Sequence, residues 1–247
     1  MADLSAFPIT TRWPAQHPDR IQLYGLPTPN GVKVSIMLEE IGLPYEPHAI
    51  DIGKNESWTR EFLSINPNGK IPAIIDPEGP GGAPFGLFES GAILLYLSDK
   101  THKLVPADAA RRYETIQWVF FQMAFIGPMF GQVGYFHKFA GREIADKRPL
   151  ERYVNESKRL LGVLDGRLAG RPWIMGDEYT IADIATFGWV RNLGRLLRRA
   201  RAGGVRHAEG RAGVAGARPR PPRGAAGAGD SEAAVRRRFH VNGGPLR

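Results

Sequence analysis

The residue types that could do chemistry in this chain fall in two neighbouring stretches. Asn66-Pro67-Asn68-Gly69-Lys70-Ile71-Pro72-Ala73-Ile74-Ile75 is turn-rich and then apolar, and Leu87-Phe88-Glu89-Ser90-Gly91-Ala92-Ile93-Leu94-Leu95-Tyr96 is apolar on both sides of a Glu-Ser pair. Pro72 cannot donate to a sheet ladder, so it belongs at a strand start or a bend, where a cis peptide is one option. The second stretch reads as a strand end followed by an apolar run at helical spacing. Glu89 and Ser90 then stand at a helix N-terminus, where unpaired backbone N–H groups and the macrodipole favour anions. A proline-bent loop facing such a helix end makes a place for a small anionic peptide. Taken alone, the Glu-Ser pair reads better as a plain helix cap; the proline-bent loop before it favours the ligand role.

These residues need a scaffold, and the pattern along the chain supplies one. Ile21–Tyr24 reads as a strand, Thr28-Pro29-Asn30-Gly31 as a loop, and Val32–Ile41 as an amphipathic helix closed by Gly42. A strand at Tyr45–Ile50, a short helix near Thr59–Leu63, strands at Ala73–Asp76 and Phe85–Phe88, and a helix at Glu89–Lys100 follow. The order βαβαββα predicts a thioredoxin-like α/β domain over residues 21–100. Residues 1–20 hold three prolines and no periodicity, and are expected to be a mobile extension. Beyond a linker at Thr101–Pro106 the strand signals stop, so residues 107–193 are expected to be all-α. One helix is predicted from Arg111 to about Phe139, bent around Gly127-Pro128, a second over Leu150–Leu168 closed by Gly170 and Pro172, and a buried third over Thr180–Asn192.

Thr28-Pro29-Asn30-Gly31, Asn66–Ile74, Phe88-Glu89-Ser90-Gly91 and Thr180-Ile181-Ala182-Asp183-Ile184, in that order, resemble the glutathione transferase superfamily. The closest likeness is to its nu-class, disulfide-reducing bacterial branch. The resemblance runs from about Ile21 to Leu193. It implies a homodimer of thioredoxin-like and helical domains that takes glutathione or glutathione disulfide as co-substrate and needs no metal. It also implies that Ile71-Pro72 is cis, that the backbone of Ile71 pairs with the cysteinyl part of glutathione, and that Lys70 meets a terminal carboxylate. Glu89 would hold the α-ammonium of the γ-glutamyl group and Ser90 its α-carboxylate.

Thr28 and Asn30 occupy the place where the family activates the thiol. A threonine hydroxyl, an asparagine amide and the following helix N-terminus can donate hydrogen bonds to a thiolate and lower its pKa. The same residues fit a simple turn equally well. Tyr24 is an alternative donor, although its strand position suggests core. Arg152, in Leu150-Glu151-Arg152-Tyr153, resembles the arginine that reaches the glutathione of the partner subunit. Thr180 and Asp183 form a capping box and have no catalytic part.

Composition narrows the function further. The chain has no cysteine, which removes disulfide frameworks, zinc-thiolate sites and cysteine nucleophiles. Any thiol chemistry must therefore use a thiol brought by the ligand. His48, His102 and His137 share no ligand spacing, so no metal site is expected. With neither a membrane-length apolar run nor a leader pattern, the chain reads as soluble and cytoplasmic.

The net charge of +8 sits entirely in the tail: residues 1–193 carry 20 Lys+Arg against 22 Asp+Glu, and residues 194–247 carry 13 Arg against 3 acids. Arg, Ala, Gly and Pro make up 39 of those last 54 residues, a composition expected to stay disordered. The helical domain therefore reads as incomplete, and the tail as the out-of-frame translation of a GC-rich gene. An arginine-rich nucleic-acid-binding arm is the rival reading, disfavoured by the lack of interleaved aromatic residues.

The expected activity is glutathione-dependent disulfide reduction, with conjugation to an electrophile and peroxidase side activity as neighbouring possibilities. The alternatives are a non-catalytic glutathione-binding regulatory protein and an inactive product of a frameshifted gene.

Overall fold

In the computed structural model, which describes residues 3–202 (195–202 as backbone only), the chain divides between Ala107 and Asp108 into two units, each taken in turn. The first unit runs α1 (Ile9–Arg12), β1 (Ile21–Gly25), α2 (Gly31–Ile41), β2 (Tyr45–Ala49), α3 (Arg60–Leu63), β3 (Ala73–Asp76), β4 (Phe85–Phe88) and α4 (Ser90–Thr101). Its strands form one mixed sheet in the order β2-β1-β3-β4, with β1 parallel to β2 and antiparallel to β3, and β3 antiparallel to β4. This is the thioredoxin-like architecture that the strand and helix order predicted. Every residue of β1 and β3 is buried, as central strands covered on both faces require. Gly42 ends α2 in the left-handed conformation, φ 75°, and returns its N–H to the carbonyl of Leu38 at 3.1 Å.

Residues 3–20 differ from expectation. Leu4 and Ile9 are buried against Tyr24, Ile50, Phe62 and Ile75, with Phe7, Trp13 and Ala15 packed around them. The N–H groups of Gln16 and His17 both donate to the Glu46 carboxylate, at 2.9 and 2.7 Å. The segment is a packed strap. Its apolar residues follow no helix or strand period, so only the surface they meet reveals their role.

The second unit is helical: α5 (Ala109–Phe121), α6 (Gly127–Lys138), α7 (Arg148–Leu168) and α8 (Ile181–Ala202). Asp108 caps α5 by accepting from the N–H of Arg111 at 2.9 Å. The helix predicted from Arg111 to Phe139 is broken by a π turn over Gln122–Ile126, directly before Gly127-Pro128. Pro128 has no N–H to return to the preceding turn, and the wider π turn accommodates the gap.

Helix α8 is longer than predicted and continues past Leu193 to Ala202. Ile181, Ala182, Ile184, Ala185 and Leu193 are buried, and Phe187, Trp189 and Val190 are half-buried. The reading of the tail as a shifted frame falls largely on residues 203–247, outside the described residues. Among the described residues, no helix is long and apolar enough to cross a membrane.

Thr180 and Asp183 form the predicted capping box. Thr180 Oγ1 accepts from the N–H of Ala182 at 3.3 Å, and Asp183 Oδ2 accepts from the N–H of Thr180 at 3.0 Å. Thr180→Ala removes one of the two arms. It is expected to lower the unfolding free energy by about 1 kcal/mol, measured by urea titration, with no change in ligand affinity. Lost binding at unchanged stability would contradict the structural assignment.

Candidate functional site

Strand register brings the chemistry-bearing residues to one edge of the sheet. Tyr24 pairs with Ala73 and Ala73 with Phe88. At the ends of these strands Pro72 lies beside Gly25, and Glu89 directly follows Phe88. The loop carrying Thr28 and Asn30, the bend at Ile71-Pro72 and the start of α4 therefore converge. The Ile71-Pro72 bond is cis. Gly25 leaves room beside it, since even a Cβ there would lie 3.7 Å from Pro72 Cβ.

The bend is braced from below. Asn66 is buried; its Nδ2 donates to the carbonyl of Lys70 at 2.6 Å and its Oδ1 accepts from the N–H of Asn68 at 3.0 Å. Gly69 takes φ 62° under the Trp58 ring, where a Cβ would come within 2.9 Å of Trp58 Cε3. The Lys70 side chain is left exposed at the rim.

Glu89 is one of few non-glycine residues with positive φ, at φ 72° and ψ 111°, and its carboxylate is exposed. Such a conformation persists only where the surroundings impose it, and it is concentrated at ligand sites. Its carbonyl starts α4 by accepting from the N–H of Ile93 at 2.9 Å. Ser90 is the first residue of α4 and is 4% exposed.

Thr28 Oγ1 accepts from the N–H of Gly31 at 3.2 Å, while its carbonyl accepts from the N–H of Val32 at 3.0 Å. A hydroxyl that accepts still carries a proton to donate. Asn30 precedes α2, half-buried, without a side-chain cap bond to the helix. Arg152 is exposed on α7, in the second unit.

Tyr24 is a core residue. It is fully buried, its ring stacks on His48 at 4.6 Å, and burial followed by the Glu46 charge pushes its hydroxyl pKa well up. His48 Nε2 lies 2.8 Å from Gln22 Oε1, and burial pushes its pKa down. Among the described residues, no group of three or more His, Asp or Glu could hold a metal.

Sequence reasoning missed Lys33. It is wholly buried on α2, and its Nζ lies 3.3 Å from Ser90 Oγ. Burial pushes its ammonium down from 10.5 to about 7, against the opposing pull of the Glu89 carboxylate. The signal was in the spacing. Lys33, Met37 and Ile41 lie four apart, so the lysine sits on an apolar stripe rather than on a solvated face.

Comparison with known proteins matches this architecture over most of the chain. Residues 20–99 match the glutathione S-transferase N-terminal domain and residues 127–203 the glutathione S-transferase C-terminal domain, the latter extending ten residues beyond the point where the resemblance was expected to stop. Disulfide-bond oxidoreductase YfcG of Escherichia coli (strain K12) is 47% identical over 171 residues, covering 69% of this chain and 79% of that protein. A glutathione transferase family member from Pseudomonas fluorescens, solved with two glutathione bound, is 66% identical with a TM-score of 0.77, over 81% of this chain and 88% of that one. A glutathione transferase from Pseudomonas putida, solved with one glutathione disulfide per subunit, is 63% identical with a TM-score of 0.78, over 81% and 87%. On its fold, its two domain matches and these relatives, the chain belongs to the glutathione S-transferase family, in the nu-class-like branch of the disulfide-bond oxidoreductases.

Proposed function

We propose that the chain binds glutathione along the edge formed by Thr28, Pro72 and Ser90 and uses it to reduce disulfides. The observation that carries this reading is the convergence of the Ile71-Pro72 bend with the Glu89-Ser90 helix start. Glu89 offers a carboxylate to the α-ammonium of the tripeptide, and Ser90 with the first amides of α4 offers donors to its α-carboxylate. The backbone of Ile71 pairs with the cysteinyl part, and Lys70 meets the glycyl carboxylate. The sulfur then lies toward Thr28 and Asn30, whose hydroxyl and amide donate to the thiolate and lower its pKa.

With no cysteine in the chain, both thiols come from the ligand. One glutathione thiolate attacks a sulfur of the substrate disulfide, forming a mixed disulfide and expelling a thiolate. A second glutathione thiolate attacks the glutathionyl sulfur, releasing glutathione disulfide and the other substrate thiolate, which takes up a proton. The protein supplies position and stabilises the charge on sulfur. The reading includes a cytoplasmic homodimer in which Arg152 reaches the glutathione of the partner subunit.

Calorimetric titration with reduced glutathione and with glutathione disulfide tests the reading. Ser90→Ala removes a hydroxyl hydrogen bond to a charged group, so affinity is expected to fall about 10- to 100-fold. A folded chain that binds neither ligand would overturn the proposal.

A further inference from the structure

Lys33 is the only lysine or arginine among the described residues that is buried as a whole. A wholly buried lysine is costly to a fold, and a residue of similar length without charge, such as methionine, would fill the same stripe at lower cost. Its position between α2 and the start of α4 therefore points to work at the helix start. We propose that Lys33 is a positioning residue of the γ-glutamyl subsite: its ammonium, clasped between α2 and α4, turns the Ser90 hydroxyl outward as a donor and sets a positive charge behind the carboxylate that arrives there. The inference rests on the glutathione reading above.

The chemistry of the pair gives the direction. An ammonium carries three donors and no acceptor, so at 3.3 Å the Ser90 oxygen is the acceptor. Ser90 then directs its own proton away from Lys33. A neutral amine has a lone pair and can accept, which lets the Ser90 hydroxyl turn inward and withdraws both a donor and a charge from the ligand. Protonation of Lys33 thus selects the state of Ser90 that a carboxylate recognises.

Burial disfavours the Lys33 ammonium, and the Glu89 carboxylate, immediately before Ser90, partly offsets this by favouring the charged form. The two helices run side by side in the same direction, because Lys33 meets Ser90 at one end and Lys103 Nζ donates to the Ile41 carbonyl at 2.9 Å at the other. Glu39 and Glu40 on α2 are therefore about 9–10 Å further along the axis, and Asp99 and Lys100 stand at the far end of α4. At the start of α4, Glu89 favours the charged form of Lys33, and an incoming ligand carboxylate would add to it.

With its ammonium near pH 7 in the free protein, Lys33 is largely neutral at pH 8. A ligand carboxylate favours the charged form, so binding above pH 7 draws in a proton, and affinity falls as pH rises. The sign follows from linkage: the bound state holds more protons than the free state in this window.

The test uses S-methylglutathione, whose sulfur cannot ionise, titrated by calorimetry between pH 6.5 and 8.5 in two buffers of different ionisation enthalpy. The wild-type protein is expected to take up approaching one proton per ligand at pH 8 and to lose affinity by up to about tenfold per pH unit. Lys33→Met is expected to fold, with circular dichroism unchanged and melting temperature equal or higher. It should bind about tenfold or more weakly at pH 6.5, with proton uptake abolished and the pH dependence flattened. Absence of proton uptake by wild-type protein that does bind overturns the role of Lys33 without needing any variant. So does a folded Lys33→Met protein with wild-type affinity and uptake. Both results leave the glutathione reading standing, whereas wild-type protein that binds no ligand at any pH overturns that reading itself.

Discussion

Gly31→Ala is expected to abolish glutathione binding and to lower the melting temperature by about 10 °C, from a loss of about 3 kcal/mol or more. A Cβ on residue 31 would lie 1.8 Å from the carbonyl oxygen of Leu26 and 3.0 Å from its carbonyl carbon. That oxygen cannot move aside cheaply, because it accepts from the N–H of Thr28 at 2.7 Å. Relieving the overlap breaks this bond and shifts the Leu26–Asn30 loop, which carries Thr28 and Asn30. It also disturbs the N–H of Gly31, which donates to Thr28 Oγ1. Stability and binding should therefore fail together, measured by thermal melting and calorimetry.

Gly162→Ala supplies the contrast. Residue 162 lies on the exposed side of α7 with nothing within 4 Å of a Cβ, so alanine should add about 0.5–1 kcal/mol. A Gly31→Ala protein that melts and binds like the wild type would show that the loop can be rebuilt around a side chain.

Asp183→Ala is expected to lower the unfolding free energy by about 3–4 kcal/mol, well beyond the usual effect of losing a helix cap. The carboxylate does more than complete the capping box. Its Oδ2 accepts from the N–H of Thr180 at 3.0 Å and from the hydroxyl of Thr180 at 3.3 Å, while its Oδ1 accepts from the N–H of Ile174 at 2.9 Å. Removing it strands two backbone donors and unties α8 from the tight turn between Trp173 and Gly176. Burial holds the carboxyl pKa up and the hydrogen bonds draw it down, so it is an enclosed group dependent on those donors.

Asp183→Asn should fall between the wild type and alanine, since one amide oxygen cannot replace two carboxylate oxygens. Urea unfolding measures all three. Equal stability for the wild type and Asp183→Ala would refute the clasp, and glutathione affinity of the folded variant should be unchanged because its bonds to Thr180 and Ile174 involve none of the residues proposed to hold glutathione.

Much of this protein was legible before folding was considered. The order βαβαββα, the Gly42 stop and the Thr180-x-x-Asp183 cap are local signals, set by backbone conformation and hydrogen bonding within a few residues of chain. Pro72 and the Glu89-Ser90 pair marked the bend and the helix start, because a residue without an N–H and a helix start each have few uses. What required the tertiary structure was non-local. Residues 3–20 became a strap only where Leu4 and Ile9 met Phe62 and Ile75. Asp183 became a clasp only when the turn at Ile174 came within reach. Lys33 counts in composition as one surface charge among many, and its meaning changed only when α4 closed over α2 and removed its water. Local conformation is written in neighbouring residues, whereas desolvation depends on what the rest of the chain brings alongside.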